Sequence, residues 1–330
     1  LGPNVLYRNK GDGTFEDMTE KAGVGDSRWS ASAAFADFDK DGDLDLYVAN
    51  YVFIDFERLP PKACRHHEQV VLCGPRGLPG VGDSYYRNNG DGTFSEVSEE
   101  VGADDPDRYY GLGVSFGDLD NDGDLDIYVA NDATPNLLFV NRGDGTFDVM
   151  GLESGLAFNA DGTEQASMGV DLADYDNDGL LDVYITHFSD DYSTLYHNEG
   201  GLLFKDVTGQ ALILRPEVRL VSWGTAFIDF DHDGWKDIFH SNGHVYPYLI
   251  GAELAEVFDQ QQTLYLNQKD GTFKDVSQFA GPGLKVAEAS RGVAFGDYDN
   301  DGDIDMLVAN LNDPPSLIRN DLRGDHHWVM

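Results

Sequence analysis

The run Asp37-Phe-Asp-Lys-Asp-Gly-Asp-Leu-Asp45 returns in related form at Asp118, Asp174, Asp229 and Asp297. A unit that recurs along a chain constrains the fold strongly, because each copy must bury its apolar face against the next. With two insertions set aside, the period is about 55 residues. The chain reads as a repeat protein.

Each copy carries carboxylates at loop positions 1, 3, 5 and 9 and a glycine at position 6. Carboxylates this close repel one another unless a cation lies among them. Alternate residues turn their oxygens inward, and the glycine permits the bend that brings the last Asp back to close the shell. The expected ligands in the first two loops are Asp37, Asp39, Asp41, Asp43 and Asp45, then Asp118, Asp120, Asp122, Asp124 and Asp126. In the third and fourth they are Asp174, Asp176, Asp178, Leu180 and Asp182, then Asp229, Asp231, Asp233, Trp235 and Asp237. The fifth loop supplies Asp297, Asp299, Asp301, Asp303 and Asp305. Because Leu180 and Trp235 stand at position 7, the expected ligand there is the backbone carbonyl. The pattern resembles an EF-hand at positions 1, 3, 5 and 6, but closes with Asp at 9 in place of Glu at 12. Many oxygens in a flexible loop favour Ca²⁺ over Mg²⁺, and about five ions are expected. A single copy is equally an ordinary Asp-Gly turn; five copies with aligned flanks argue for metal. Lys236 at position 8 marks the fourth site as the one expected to differ most in affinity.

The flanks define the fold. Small-residue strands precede the loops, as in Ser32-Ala-Ala-Phe35 and Gly292-Val-Ala-Phe295, which suits crowding at the inner edge of a radial array. Apolar runs such as Leu46-Tyr-Val-Ala-Asn50 follow, and read as strands covered on both faces. A second motif, Leu6-Tyr-Arg-Asn9-Lys-Gly-Asp-Gly-Thr-Phe15, alternates with the first and predicts a hairpin at its Asp-Gly. Each period therefore holds four short strands. The expected class is all-β: a β-propeller of four-stranded blades with calcium-binding DxDxDGxxD loops, six or seven blades, seven for the full-length protein. Residues 1–330 read as a single propeller domain with an incomplete blade at each end. Helix is confined to single turns, the best being Glu16 to Ala22 and Leu254 to Phe258. Insertions at 51–83 and 243–262 break the period and are the places where function is expected.

The net charge of −38, from 60 acidic and 22 basic side chains, argues against nucleic acid or an anionic membrane as partner. No apolar run is long enough to span a bilayer. Leu1 opens directly into a repeat, so the sequence is expected to be a mature or trimmed segment. Cys64 and Cys73 form a short-loop disulfide in an oxidising compartment and remain thiols in the cytosol. For catalysis there is no Gly-x-Ser-x-Gly elbow, no His-Glu-x-x-His and no phosphate-binding glycine loop.

These motifs resemble FG-GAP/VCBS repeats, which also form the calcium-binding blades of integrin α-subunit propellers. More narrowly, Cys73-Gly-Pro75, Gly243-His-Val-Tyr-Pro247 and His326-His-Trp328 are similar to the bacterial members of the ASPIC/UnbV (cartilage acidic protein-like) family. The resemblance implies that residues 320–330 begin a truncated C-terminal region. It implies an extracellular, cell-surface or periplasmic location, under which Cys64 and Cys73 are paired. The function expected is a protein- or glycan-binding module with structural calcium, or self-assembly through the incomplete blades. The alternative is a propeller-scaffold enzyme or redox-associated protein with a site built from the two insertions. A polar pocket lined by His66, His67 or His244 would indicate that enzyme.

Overall fold

The computed structural model describes residues 2–55, 57, 64–66, 69–71, 73–189, 191–214, 220–247 and 257–321. They are all-β and built of propeller blades, as expected. The chain divides into two compact units, Leu1–Phe158 and Asn159–Met330.

The first unit holds a lone hairpin, Tyr7–Asn9 with Phe15–Asp17, and two four-stranded antiparallel blades. The first blade runs Ser30–Ala36, Asp45–Asn50, Ser84–Asn88 and Phe94–Glu96. The second runs Gly111–Gly117, Asp126–Asn131, Leu137–Asn141 and Phe147–Val149. Phe38, at position 2 of the first acidic loop, is buried against Tyr85, Phe116 and Phe147, with ring centroids 5.7, 5.9 and 6.2 Å away. Truncating such a side chain to Ala costs about 3–5 kcal/mol.

The second unit repeats the plan. Its first blade comprises Ser167–Ala173, Asp182–His187, Thr194–Asn198 and Phe204–Asp206. Its second comprises Ser222–Ile228, Asp237–Asn242, Thr263–Asn267 and Phe273–Asp275. Three strands follow, Ser290–Gly296, Asp305–Asn310 and Ser316–Ile318. We number these blades three, four and five. The small residues of the inner strands have a direct cause. A Cβ on Gly169 would lie 1.9 Å from the Trp223 carbonyl oxygen of the next inner strand, and one on Gly224 would lie 2.8 Å from the Val293 nitrogen.

Where the sequence suggests a helical turn from Glu16, the helix is Thr19–Ala22, because Phe15–Asp17 is the outer hairpin strand. Ser98–Val101 and Gly151–Ser154 occupy the same place after their own outer strands. All three end at a left-handed glycine: Gly23, Gly102 and Gly155. Residues 254–256 lie outside the described residues, and Val257 and Phe258 are not helical.

Both insertions leave from the end of a blade's second strand, opposite its acidic loop. In the first, Cys64–His66 pairs with Gln69–Val71, and Cys64 is disulfide-bonded to Cys73. The second ends in Gln260–Gln261, which pairs with Ala287–Glu288. His67 and His326-His-Trp328 lie outside the described residues.

Candidate metal centre

Each acidic loop joins an inner strand to the second strand of its blade. The turn is set by two residues with positive φ: position 4, as at Lys40 (59°) and Asn121 (61°), and the glycine at position 6, as at Gly42 (96°) and Gly123 (92°). The carboxylate at position 1 accepts the backbone N–H groups of positions 5 and 6 in every loop, for example Asp41 to Asp37 Oδ1 and Gly42 to Asp37 Oδ2, both 3.1 Å. The carboxylate at position 5 accepts the N–H of position 7, from Leu180 at 2.8 Å and Trp235 at 2.9 Å. Position 7 thus shares one backbone geometry whether it is Asp, Leu or Trp.

The structure brings the predicted ligands together. Asp37, Asp39 and Asp41 place oxygens within 4.8 Å of one another, as do Asp118, Asp120 and Asp122, and Asp174, Asp176 and Asp178. In the fourth loop Asp229, Asp231 and Asp237 meet in the same way. Burial, and after it neighbouring carboxylates, raise the carboxyls of Asp120 and Asp231. Asp231 Oδ1 is buried and takes no hydrogen bond among the described residues. An orphaned acceptor beside two further carboxylates fits a hard dication, which would use it as a ligand. The loops at Asp37, Asp118, Asp174 and Asp229 each bring together an oxygen set of the kind a hard dication takes.

Position 9 does something more. Asp45, Asp126, Asp182, Asp237 and Asp305 are all buried. Burial pushes the carboxyls of Asp126 and Asp237 up to about 7 and those of Asp45 and Asp182 in the same direction. Each accepts the backbone N–H of an asparagine: Asn88 at 2.8 Å and Asn141, Asn198 and Asn267 at 2.9 Å, all in third strands, and Asn320, two residues past the third strand of the fifth blade, at 2.8 Å. In four loops the other oxygen accepts the N–H of position 2, from Leu119, Tyr175, Phe230 and Tyr298. In the first loop it accepts the Tyr85 hydroxyl, at 2.6 Å.

The asparagine side chains carry the connection across blades. Asn141 Nδ2 donates to the Phe38 carbonyl of the preceding loop at 2.8 Å, Asn267 to Tyr175 at 2.8 Å, and Asn320 to Phe230 at 3.0 Å. Asn267 Nδ2 also reaches the Lys236 carbonyl at 3.0 Å, and its Oδ1 accepts the Lys269 N–H at 2.9 Å. Lys236 therefore serves through its backbone, as Leu44, Leu125 and Leu181 do in their loops. Replacing Asn267 by Ala leaves these buried groups unpaired and is expected to remove about 2–4 kcal/mol. Asn9→Ala in the exposed hairpin, where the side chain accepts only the Gly11 N–H among the described residues, should lose well under half of that. Urea unfolding of the two variants checks the difference; equal losses would show that the cross-blade bond adds nothing.

Two position-7 carboxylates face the neighbouring loop. Lys40 Nζ lies 2.6 Å from Asp124 Oδ1, and His232 Nε2 lies 2.9 Å from Asp303 Oδ1. Cations from the outer hairpins also approach the loops: Lys269 is 2.9 Å from Asp233, Arg319 is 3.6 Å from Asp299 and Arg87 is 3.8 Å from Asp39. In the third blade His197 takes that place, 3.1 Å from Asp182 and 3.5 Å from Asp176. Sequence spacing contains no sign of the Lys40–Asp124 and His232–Asp303 contacts, because they depend on how neighbouring blades align.

Of the histidines expected to mark an enzyme, His66 and His244 lie among the described residues. His66 is buried in the disulfide-closed hairpin of the first unit. His244 is buried in the second, with ring centroids 5.6 Å from Phe188 and 5.4 Å from Tyr246.

A family model described as an FG-GAP-like repeat matches residues 2–48, 70–129, 118–185, 174–240 and 242–308. The chain belongs to the FG-GAP-like repeat family. Each acidic loop and the strand before it fall within these FG-GAP repeats. The chain is also 31% identical over 193 residues to human cartilage acidic protein 1, and 29% identical over 194 residues to that of Xenopus tropicalis. Those matches cover 56% of this chain and about a quarter, 24% and 25%, of the relatives' own length. Among solved structures, an Agrocybe aegerita lectin that recognises non-reducing terminal N-acetylglucosamine aligns at 17% identity, covering 96% of this chain and 74% of that one, with a TM-score of 0.49. The V. cholerae biofilm matrix protein Bap1 aligns at 16% identity, covering 86% and 35%, with a TM-score of 0.40.

Proposed function

We propose that this FG-GAP chain is an interaction module that works outside the cell or at its surface. It binds a protein or glycan partner and carries calcium as a structural ion. The observation that carries this reading is the shared wiring of the five loops. In each, the ninth carboxylate is bound to an asparagine N–H in or just past the third strand of its own blade, so the loop ties the scaffold together. Carboxylates held by backbone donors and a metal are poor general acids or bases. The Cys64–Cys73 disulfide and the similarity to cartilage acidic protein 1 support an oxidising, extracellular setting. No helix among the described residues is long and apolar enough to cross a membrane.

The test is a binding assay of the calcium-loaded chain, immobilised and exposed to a panel of matrix proteins and oligosaccharides. Saturable binding that chelator abolishes and added calcium restores is the expected result. Turnover of a panel member, with no stable binding to any, would replace this reading with the enzyme alternative.

A further inference from the structure

A cavity of about 380 Å³ opens in the second unit, beside the small sheet formed by Gln260–Gln261 and Ala287–Glu288. Its size lies within the range of small-molecule sites, about 300–1,000 Å³. Most of its lining side chains are polar, drawn from Asp259 and the glutamines at 260–262 together with Asp275 and Gln278, while Leu220 and Val257 form an apolar side.

The amides are held in place before any ligand arrives. Gln260 Oε1 accepts the Val221 N–H at 3.0 Å. Gln262 Oε1 accepts the Asn242 N–H at 3.0 Å, and its Nε2 donates to Ser290 Oγ at 2.8 Å. Gln261 Nε2 donates to the Lys285 carbonyl at 2.8 Å, and its Oε1 accepts from Gln278 Nε2 at 2.8 Å. Groups fixed by a second shell of hydrogen bonds lose little freedom on binding. Gln278 and Asp259 are exposed at the rim. Gln278 keeps its carbonyl oxygen and a second N–H for a ligand, and the Asp259 carboxylate can accept two hydroxyl donors.

Among the described residues no lysine or arginine lines the cavity, while two carboxylates do. The two carboxylates, Asp259 and Asp275, would repel a phosphate, sulfate or uronate. Adjacent hydroxyls, which both donate and accept, match a set of amides and carboxylates, and the Val257 side chain offers an apolar face to ring carbons. We infer that this cavity is a binding site for the end of an uncharged oligosaccharide. The inference rests on the interaction-module reading and narrows its partner to a neutral glycan.

The experiment is ligand-observed NMR and calorimetry on the full chain in excess calcium, with neutral hexose, N-acetylhexosamine and hexuronic acid oligosaccharides as probes. At least one neutral probe should bind, and uronic acid probes should bind about tenfold more weakly or not at all. Asp259→Asn and Gln278→Ala alter exposed side chains and should each weaken the neutral probe by about tenfold. Ala287→Trp, which fills the cavity from an exposed strand position, should abolish binding with the melting temperature retained. Binding by none of the neutral probes, or binding unchanged in all three variants, overturns the site. If the site is overturned in this way while the chain still holds a matrix partner found in the panel assay, the cavity assignment fails and the module reading stands.

Discussion

Excess chelator is expected to lower the melting temperature of the chain by on the order of 10 °C or more. For a site with Kd of ~10⁻⁴ M and calcium about tenfold higher, each ion stabilises the fold by ~1.4 kcal/mol. Five such contributions approach the ~5–15 kcal/mol by which a domain is stable at all. The loops explain why the loss should be global. Each joins two strands through its turn and a third through the ninth carboxylate, so a repelling, ion-free loop strains a whole blade. Magnesium at the same concentration should restore less, because it demands stricter geometry and dehydrates reluctantly. A melt that is identical with and without chelator would show that the ions hold nothing together.

Asp83→Asn is expected to make the chain more stable at pH 8, by about 1–4 kcal/mol. Asp83 lies just before the third strand of the first blade and is 6% exposed. Its oxygens accept the Asn50 N–H at 2.8 Å and the Tyr47 hydroxyl at 3.0 Å. In the second and fourth blades the same backbone donor is met by neutral amides, Asn136 at 2.9 Å and Gln262 at 3.0 Å. Burial pushes the Asp83 carboxyl up to about 7, with Arg28 opposing the shift. Below the unfolded value near 4 the group is protonated in both states and contributes no pH dependence. Between about 4 and 7 the fold binds a proton that the unfolded chain does not, so stability falls as pH rises through that window and levels above it. The slope approaches ~1.4 kcal/mol per pH unit. Asparagine removes it, since the Tyr47 hydroxyl can turn to accept from the new amide. Urea titrations of both proteins in calcium at pH 5 and pH 8 measure this. A variant less stable than the parent at pH 8, or one with the same pH slope, would refute the argument.

The residues that repeat in sequence are those whose place could be read from it. Asp37 through Asp45 and its four relatives announced the loops, and the small residues at Gly169 and Gly224 announced the close approach of neighbouring strands. Asn267 could be placed on a strand, but not bonded to Tyr175, because that contact joins residues 92 positions apart. Asp83 looked like the end of an insertion; its role depends on the register that sets Tyr47 opposite Tyr85. The helical turn at Thr19–Ala22 fell within the one read at Glu16 to Ala22, whereas Ser98–Val101 and Gly151–Ser154, four residues each, were too short for a periodic signal. The glycan cavity had no repeat to announce it. It arises where the end of one insertion pairs with the two residues Ala287–Glu288, ahead of the fifth blade.

The cross-blade contacts at the loops also limit how such a chain can change in length. Lys40 reaches Asp124 and Asn141 reaches Phe38 only while both loops keep the same number of residues. One residue added to either would shift a carboxylate out of its own turn and out of its neighbour's reach. At the opposite end of the strands the chain has grown twice, by a disulfide-closed hairpin and by the segment that walls the cavity. One end of every blade is thus held to a fixed length, while the other is free to acquire new surface.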